Sequence, residues 1–436
     1  MAVDVEAIRA RLRAATAMVA EGRLVSARGL ALEAEIPGAR VGEVLEVLRP
    51  GHAPLRAEVV GFDGARAVLL ALGDGAGLAA DDAVRRTGEA LHVACGDGLL
   101  GRVLDGTGAP IDGGGPFAGP TVQRPVDGPA QDPLQRRRIT EAMPVGVRVL
   151  DGLLSLGAGQ RVGLFAGSGV GKTALLGQVV RGARADVVVV ALVGERGREV
   201  REFWDDHVAA AKPRAVLVVA TSDAPPLSRL RAAFTAVTVA EHFAAQGKRV
   251  LLVLDSLTRV ARAQREVGLA AGEPAVRRGL PPSVFALLPR LLERAGTTSG
   301  AGSVTAVCTV LVEGGDLDEP VADEVRGLLD GHVVLDRGLA LRGRFPAVDT
   351  ASSVSRVMDA LVDAPHRAAA QRVRALLSAY EQRRDLVALG AYRPGTEPLT
   401  DEALARHDAL EAWLRQPRDE IAAWDDTVAG LRALGR

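Results

Sequence analysis

The chain has 436 residues, 48% of them apolar and 3% aromatic, and a formal net charge of −1. That length carries two or three domains around a large core, and the near-neutral charge offers no general attraction for nucleic acid. Cys95 and Cys308 stand far apart, which excludes a disulfide framework or a C-x-x-C zinc site and fits a reducing cytoplasm.

Residues 1–21 read as an amphipathic helix, with Val5, Ile8, Leu12, Ala15 and Val19 on one stripe and Arg9, Arg11 and Arg13 on other faces. Packing on its own domain and docking to a partner or an anionic membrane surface both fit that pattern. From 22 to 95 the pattern changes to short strand-like runs at 23–25, 41–47, 57–62 and 67–72, each followed by turn residues, and a small β-barrel is expected. A Gly/Pro-rich connector follows from Asp105 to Pro133. Residues 96–365 alternate apolar strands with helical segments. Strands are read at 161–165, 185–192, 215–220, 249–254, 304–312 and 332–335. Their near-continuous valine and leucine predicts a parallel sheet buried on both faces. Residues 366–436 read as helical, most clearly at 367–386 and 401–413. No apolar run approaches a membrane span, and the N-terminus lacks the apolar stretch of a signal peptide, so a soluble protein is expected.

The run Ala166-Gly167-Ser168-Gly169-Val170-Gly171-Lys172-Thr173 falls where the first buried strand gives way to a helix beginning near Ala174. Asparagine is absent and only three lysines occur, so the arginine excess reads as codon usage, whereas Lys172 stands out. Gly167, Ser168, Gly169, Val170 and Gly171 form a loop whose backbone N–H groups can point at phosphate oxygens, with the helix dipole behind them. Lys172 is expected to reach the β- and γ-phosphates of a nucleoside triphosphate, and the Thr173 hydroxyl to ligate Mg²⁺. Ala166 replaces the first glycine of the strict motif, which suits a strand end where positive φ is not required. The plainer alternative is a glycine-rich turn with a solvated lysine, and the strand and helix on either side argue against it.

Asp255 ends the apolar run 249–254, the usual place for an acid that holds Mg²⁺ through its water shell, although strands also end in Asp for turn reasons. Glu195 ends another strand and could polarise the water that attacks the γ-phosphate. From the residues alone, a surface ion-pair cluster with Arg196, Arg198 or Arg201 is an equal reading, and Arg196 could also touch phosphate.

The phosphate loop, Gly194-Glu195-Arg196-Gly197-Arg198-Glu199, Ala220-Thr221-Ser222-Asp223, Leu254-Asp255-Ser256-Leu257-Thr258-Arg259, Ala271-Gly272-Glu273-Pro274, Pro281-Pro282-Ser283-Val284-Phe285-Ala286, Ala322-Asp323-Glu324-Val325-Arg326 and Asp330-Gly331-His332 occur in that order. Together they resemble the ATPases of type III protein export, which serve flagella and injectisomes and are similar to the α and β subunits of rotary ATP synthases. The chain departs from relatives at Val260, at Gly315, and in Asp349-Thr350-Ala351-Ser352, which lacks a common aliphatic residue.

The resemblance implies a RecA-like core between an N-terminal barrel and a C-terminal helical domain, assembled as a homohexamer. It implies that Glu195 is the catalytic carboxylate. It also implies that Arg356 enters a neighbour's site and that Phe345 packs on adenine; the residues alone would allow a solvated arginine and a core phenylalanine. It further implies that 264–283 faces the central channel of the ring, where it could grip a stalk-like coiled coil or exported chains, and that the turn near 381–394 meets chaperone-bound cargo and the stalk. A stator-like regulator and a membrane export gate would be further partners, with the enzyme cytoplasmic and peripheral at the inner face of the cell membrane. The wording of 165–171 and of Gly390-Ala391-Tyr392 is more similar to flagellar than to injectisome enzymes. Two rivals remain. A ring-shaped RNA translocase would carry aromatics on its barrel, where 22–93 has only Phe62. A non-hydrolysing ring subunit would not need both Glu195 and Asp255.

Overall fold

The computed structural model describes residues 21–436. The helix expected over 1–21 lies outside them except for Glu21, which opens the first strand. Six strands, β1 (Glu21–Arg28), β2 (Ala31–Glu35), β3 (Glu43–Leu48), β4 (Leu55–Asp63), β5 (Arg66–Ala71) and β6 (Ala83–Ala90), close into an antiparallel barrel in the order β1-β2-β5-β4-β3-β6. Alternate side chains turn inward, so Leu24, Leu32, Leu45, Val47, Val59, Leu69 and Val84 fill the interior, and closure leaves no free strand edge. The sequence pattern does not pick out β2 and β6, because most of their outward positions are polar and each supplies few inward apolar residues.

A two-stranded ribbon, β7 (His92–Cys95) with β9 (Val122–Pro125), leads from the barrel to a nine-stranded sheet. That sheet contains β8 (Val103–Asp105), β10 (Arg161–Ala166), β11 (Val187–Glu195), β12 (Ala215–Thr221), β13 (Arg249–Asp255), β14 (Gly296–Thr297), β15 (Ser303–Leu311), β16 (Gly331–Leu335) and β17 (Val348–Ser355). Its order is β17-β16-β10-β15-β13-β11-β12-β8. All neighbours along it are parallel except β17, which runs against β16, and β14 pairs with β15 off this path. Both faces are covered, which is why every residue of β11 is buried. The edge strand β17 alternates buried and exposed positions, so Val348-Asp349-Thr350-Ala351-Ser352-Ser353-Val354-Ser355 gives no apolar signal.

The C-terminal helices α1 (Ala364–Ala388), α2 (Pro398–Leu414) and α3 (Trp424–Leu434) pack Val373, Leu376, Leu410, Leu414 and Leu431 into the same apolar cluster as Val145–Val149 and the helix that follows the phosphate loop. Asp363 caps α1 by accepting from the His366 N–H, and Pro365 stands in its first turn, where no amide donor is needed. Among the described residues, no helix is long and apolar enough to cross a membrane.

The barrel is joined to the sheet layer by a buried ion pair. Arg231, on the helix Pro226–Ala245, donates through Nε to Glu58 of β4 at 2.8 Å and through Nη2 to its other oxygen, with Asp127 3.6 Å away. Breaking a buried pair strands the remaining charge, whereas removing both partners does not. Glu58→Ala is therefore expected to destabilise the junction by about 3 kcal/mol, and Glu58→Met with Arg231→Met to restore most of it. Thermal unfolding of the three proteins checks this.

Candidate active site

Parallel strands present their carboxyl ends at one edge, and there the sheet order brings β10, β15, β13 and β11 side by side. Ala166 is the last residue of β10, fully buried between Leu311 and Leu335. The chain then turns through Gly169 (φ 77°) and Gly171 (φ 91°), left-handed conformations that other residues adopt at a cost. Gly171 precedes the first turn of the helix Lys172–Gly182, while Val170 turns inward and is 2% exposed. The loop is therefore pinned at Ala166 and Val170, and Gly167, Ser168, Gly169 and Thr173 line an open cleft of about 1030 Å³.

Three charged residues from three elements meet at the floor of this cleft. The Lys172 ammonium donates to Asp255 Oδ1 at 2.5 Å and lies 3.6 Å from Glu195 Oε1. Asp255 ends β13 and also accepts from the Thr309 hydroxyl of β15 at 2.6 Å. Glu195 ends β11, and its other oxygen lies 3.1 Å from Arg259 Nη2. Glu195 Oε1 is buried and has no hydrogen-bond partner among the described residues. Burial, and next the neighbouring Asp255 charge, push the Glu195 carboxyl up to about 7 against the pull of Lys172 and Arg259.

Arg259 is the last residue of the motif Leu254-Asp255-Ser256-Leu257-Thr258-Arg259, where its residue type alone marks no role. It sits in the first turn of the helix Leu257–Ala270, capped by Ser256, and its guanidinium spans the Gly194 carbonyl and the Glu195 carboxylate. The spacing from Asp255 to a capped helix start could have flagged it, but one arginine among fifty carries little signal. Arg196 lies at the cleft wall, largely exposed and 3.4 Å from Glu199. Phe345 is 45% exposed, yet its ring lies against the phosphate loop, 3.3 Å from where a Cβ on Gly171 would stand. Arg356 is not in this cleft. Its N–H donates to the Asp330 carbonyl just before β16, at the end of the sheet opposite the loop, and its exposed guanidinium donates to the Arg326 carbonyl at 3.4 Å.

The groups present suit a nucleoside triphosphate with Mg²⁺. Glycines at left-handed positions let the backbone approach phosphate, and Thr173 and Asp255 are hard oxygen donors. No cluster of three or more His, Cys, Asp or Glu able to hold a metal by itself occurs among the described residues. That matches Mg²⁺, which is commonly bound by one or two side chains together with substrate phosphates and water.

Residues 146–355 match the nucleotide-binding domain of the ATP synthase alpha/beta family, 24–88 its beta-barrel domain, and 362–433 the T3SS EscN ATPase C-terminal domain. A type 3 secretion system ATPase of Pseudomonas savastanoi pv. phaseolicola is 49% identical, covering 98% of this chain and 97% of its own. The chain belongs to the type III secretion and flagellar export ATPases. A flagellum-specific ATP synthase of Pseudomonas aeruginosa is also 49% identical, over 95% of this chain and 93% of its own. The assembled ATPase EscN of enteropathogenic E. coli is 42% identical and covers 95% of this chain and 100% of its own, with a TM-score of 0.90 alone and 0.88 in complex with its central stalk EscO. The fold expected for this family, barrel, parallel α/β core and helical C-terminal region, is the fold found, and the family is one of ATP hydrolases.

The raised Glu195 pKa has a consequence for stability. The folded chain holds the Glu195 proton more tightly than the unfolded one, so its contribution is fully present below the usual carboxylate range and is lost as pH rises to about 7. Glu195→Gln removes that loss. The variant is expected to melt above the wild type at pH 8, with the gap closing as pH falls from 7 toward 4.5, as followed by melting curves across that range.

Proposed function

We propose that this chain hydrolyses ATP to energise type III protein export, in a homohexameric ring whose sites lie between subunits. The observation that carries the reading is the meeting of Lys172, Asp255 and Glu195 at the mouth of one phosphate loop. Lys172 binds the β- and γ-phosphates, and the backbone of residues 167–171 cradles them. Mg²⁺, held by the Thr173 hydroxyl and through water by Asp255, supplies charge neutralisation across the phosphates when bound. Glu195 polarises the attacking water, and Arg259 orients it by fixing one of its oxygens. Arg196 reaches the phosphates from the cleft wall. Phe345 supports the adenine ring.

Arg356 serves a neighbouring subunit in this reading. Its position at the far end of the sheet from its own loop supports that role, because it cannot serve the cleft of the same chain. A single subunit therefore lacks the arginine that completes its γ-phosphate site and turns over slowly. The known complex of EscN with its central stalk supports a stalk-like coiled coil as a partner, and 264–283 is the segment this reading turns toward it. Further partners are a stator-like regulator, chaperone–cargo complexes and the membrane export gate, which place the enzyme in the cytoplasm against the inner face of the membrane. Nucleic acid is not among them.

Between the two branches of the family, the wording of 165–171 and Gly390-Ala391-Tyr392 supports the flagellar one. A specific observation favours the injectisome instead: an injectisome-named relative aligns over 98% of this chain at the same identity as the flagellar one. Affinity purification from the native cell separates them. Flagellar stalk and regulator proteins are expected in the eluate, and injectisome components would reverse the assignment.

Glu195→Gln is expected to lower kcat by about 10²-fold or more, with little change in KM for ATP. Wild-type turnover would remove Glu195 from the mechanism. Because the carboxyl must be ionised to act, kcat/KM of the wild type should fall as pH drops below about 7. Lys172→Ala and Arg356→Ala are each expected to be inactive as pure rings, and mixing them should restore part of the activity, since some hybrid interfaces pair an intact loop with an intact arginine. A mixture as inactive as its components would exclude catalysis between subunits.

A further inference from the structure

We propose that Gln416 is a positioning residue for the nucleotide base, holding Phe345 over the phosphate loop. The inference rests on the reading of Phe345 as the adenine support. The Phe345 ring is too exposed for packing alone to fix it, and the loop that carries it is held from the C-terminal helices. Arg342 pairs with Glu381 of α1 at 3.2 Å, buried Arg344 with Glu411 of α2 at 2.8 Å, and the Phe345 carbonyl accepts from the Gln416 N–H at 2.8 Å.

Gln416 can place that N–H because its side chain has no freedom. It is 3% exposed, and its amide is bonded at both ends: Oε1 accepts from the Arg148 N–H at 2.8 Å, while Nε2 donates to the Gly146 carbonyl at 2.8 Å and the Glu420 carbonyl at 3.0 Å. Arg148 grips the same segment from the other side, donating to the Trp413 and Arg415 carbonyls and pairing with Glu420. The next two residues accept from the helix that begins at Lys172, Pro417 from Gln178 at 2.8 Å and Arg418 from Arg181. One short strap thus registers the base platform and the phosphate helix against each other. A residue that only pinned the helices to the core would not need its main chain bonded to Phe345.

The test is a kinetic cycle on the full chain with Gln416→Met, Phe345→Leu and the double variant. Gln416→Met keeps the volume and removes the three amide bonds. It is expected to raise KM for ATP about fivefold while kcat stays within about twofold, the mark of lost uniform binding. Phe345→Leu should behave alike, and the double variant should be no worse than the poorer single. If Gln416→Met lowers the melting temperature with KM unchanged, or if the two KM effects multiply, Gln416 is structural only and the inference fails. If Phe345→Leu itself leaves KM unchanged, the adenine role of Phe345 fails first and this inference with it. Should Gln416→Met not yield folded protein, Arg148→Lys loosens the strap from its far side, and an unchanged KM there would equally overturn the proposal.

Discussion

The site depends on one electrostatic constraint: two carboxylates, Glu195 and Asp255, stand at the tips of adjacent parallel strands with a single ammonium, Lys172, between them. Like charges buried this close are unfavourable, and the cost grows as water is withdrawn. Burial adds the larger part of the cost and Asp255 the next, and Lys172 and Arg259 offset them only in part, which is why the Glu195 carboxyl is pushed up to about 7. A lysine drawn by two acids at its base is also a lysine whose reach toward the cleft is set by the sheet. Strand order, the Thr309 bond to Asp255 and the Arg259 bridge across Gly194 all serve that placement.

Legibility in the sequence followed burial and rarity. The central strands are readable because both of their faces are covered, so valine and leucine dominate β11 and β13. The edge strand β17 and the barrel strands β2 and β6 are not, because one side of each meets water and the apolar count is too small to show a period. Lys172 was conspicuous as one of three lysines, and Asp255 and Glu195 as acids at the ends of apolar runs. Arg259 was hidden in a chain where arginine is the default cation. Gln416 could not have been found at all. Its partners are main-chain groups up to 270 residues away, and backbone contacts leave no residue-type signature.

The C-terminal helices do more than cover an apolar face. Ion pairs and carbonyl bonds from α1, α2 and the residues after α2 converge on the loop around Phe345 and on the helix behind the phosphate loop. The helical region is thus mechanically continuous with the nucleotide cleft. Such continuity lets a two-state shift in one be felt in the other, because packed elements move between discrete arrangements rather than bending smoothly.

The position of Arg356 imposes a polarity on any assembly built in the proposed way. If the arginine at one end of the sheet completes the cleft at the other end of the next copy, each contact joins two different surfaces. Such a heterologous contact cannot satisfy itself in a symmetric pair; it must propagate around a circle or leave one donor and one acceptor unmatched. An open arc would always contain one incomplete cleft, whatever its length. Closure of the ring would then be the step at which the last cleft becomes competent, so that the enzyme's capacity for turnover reports on the completion of its own assembly.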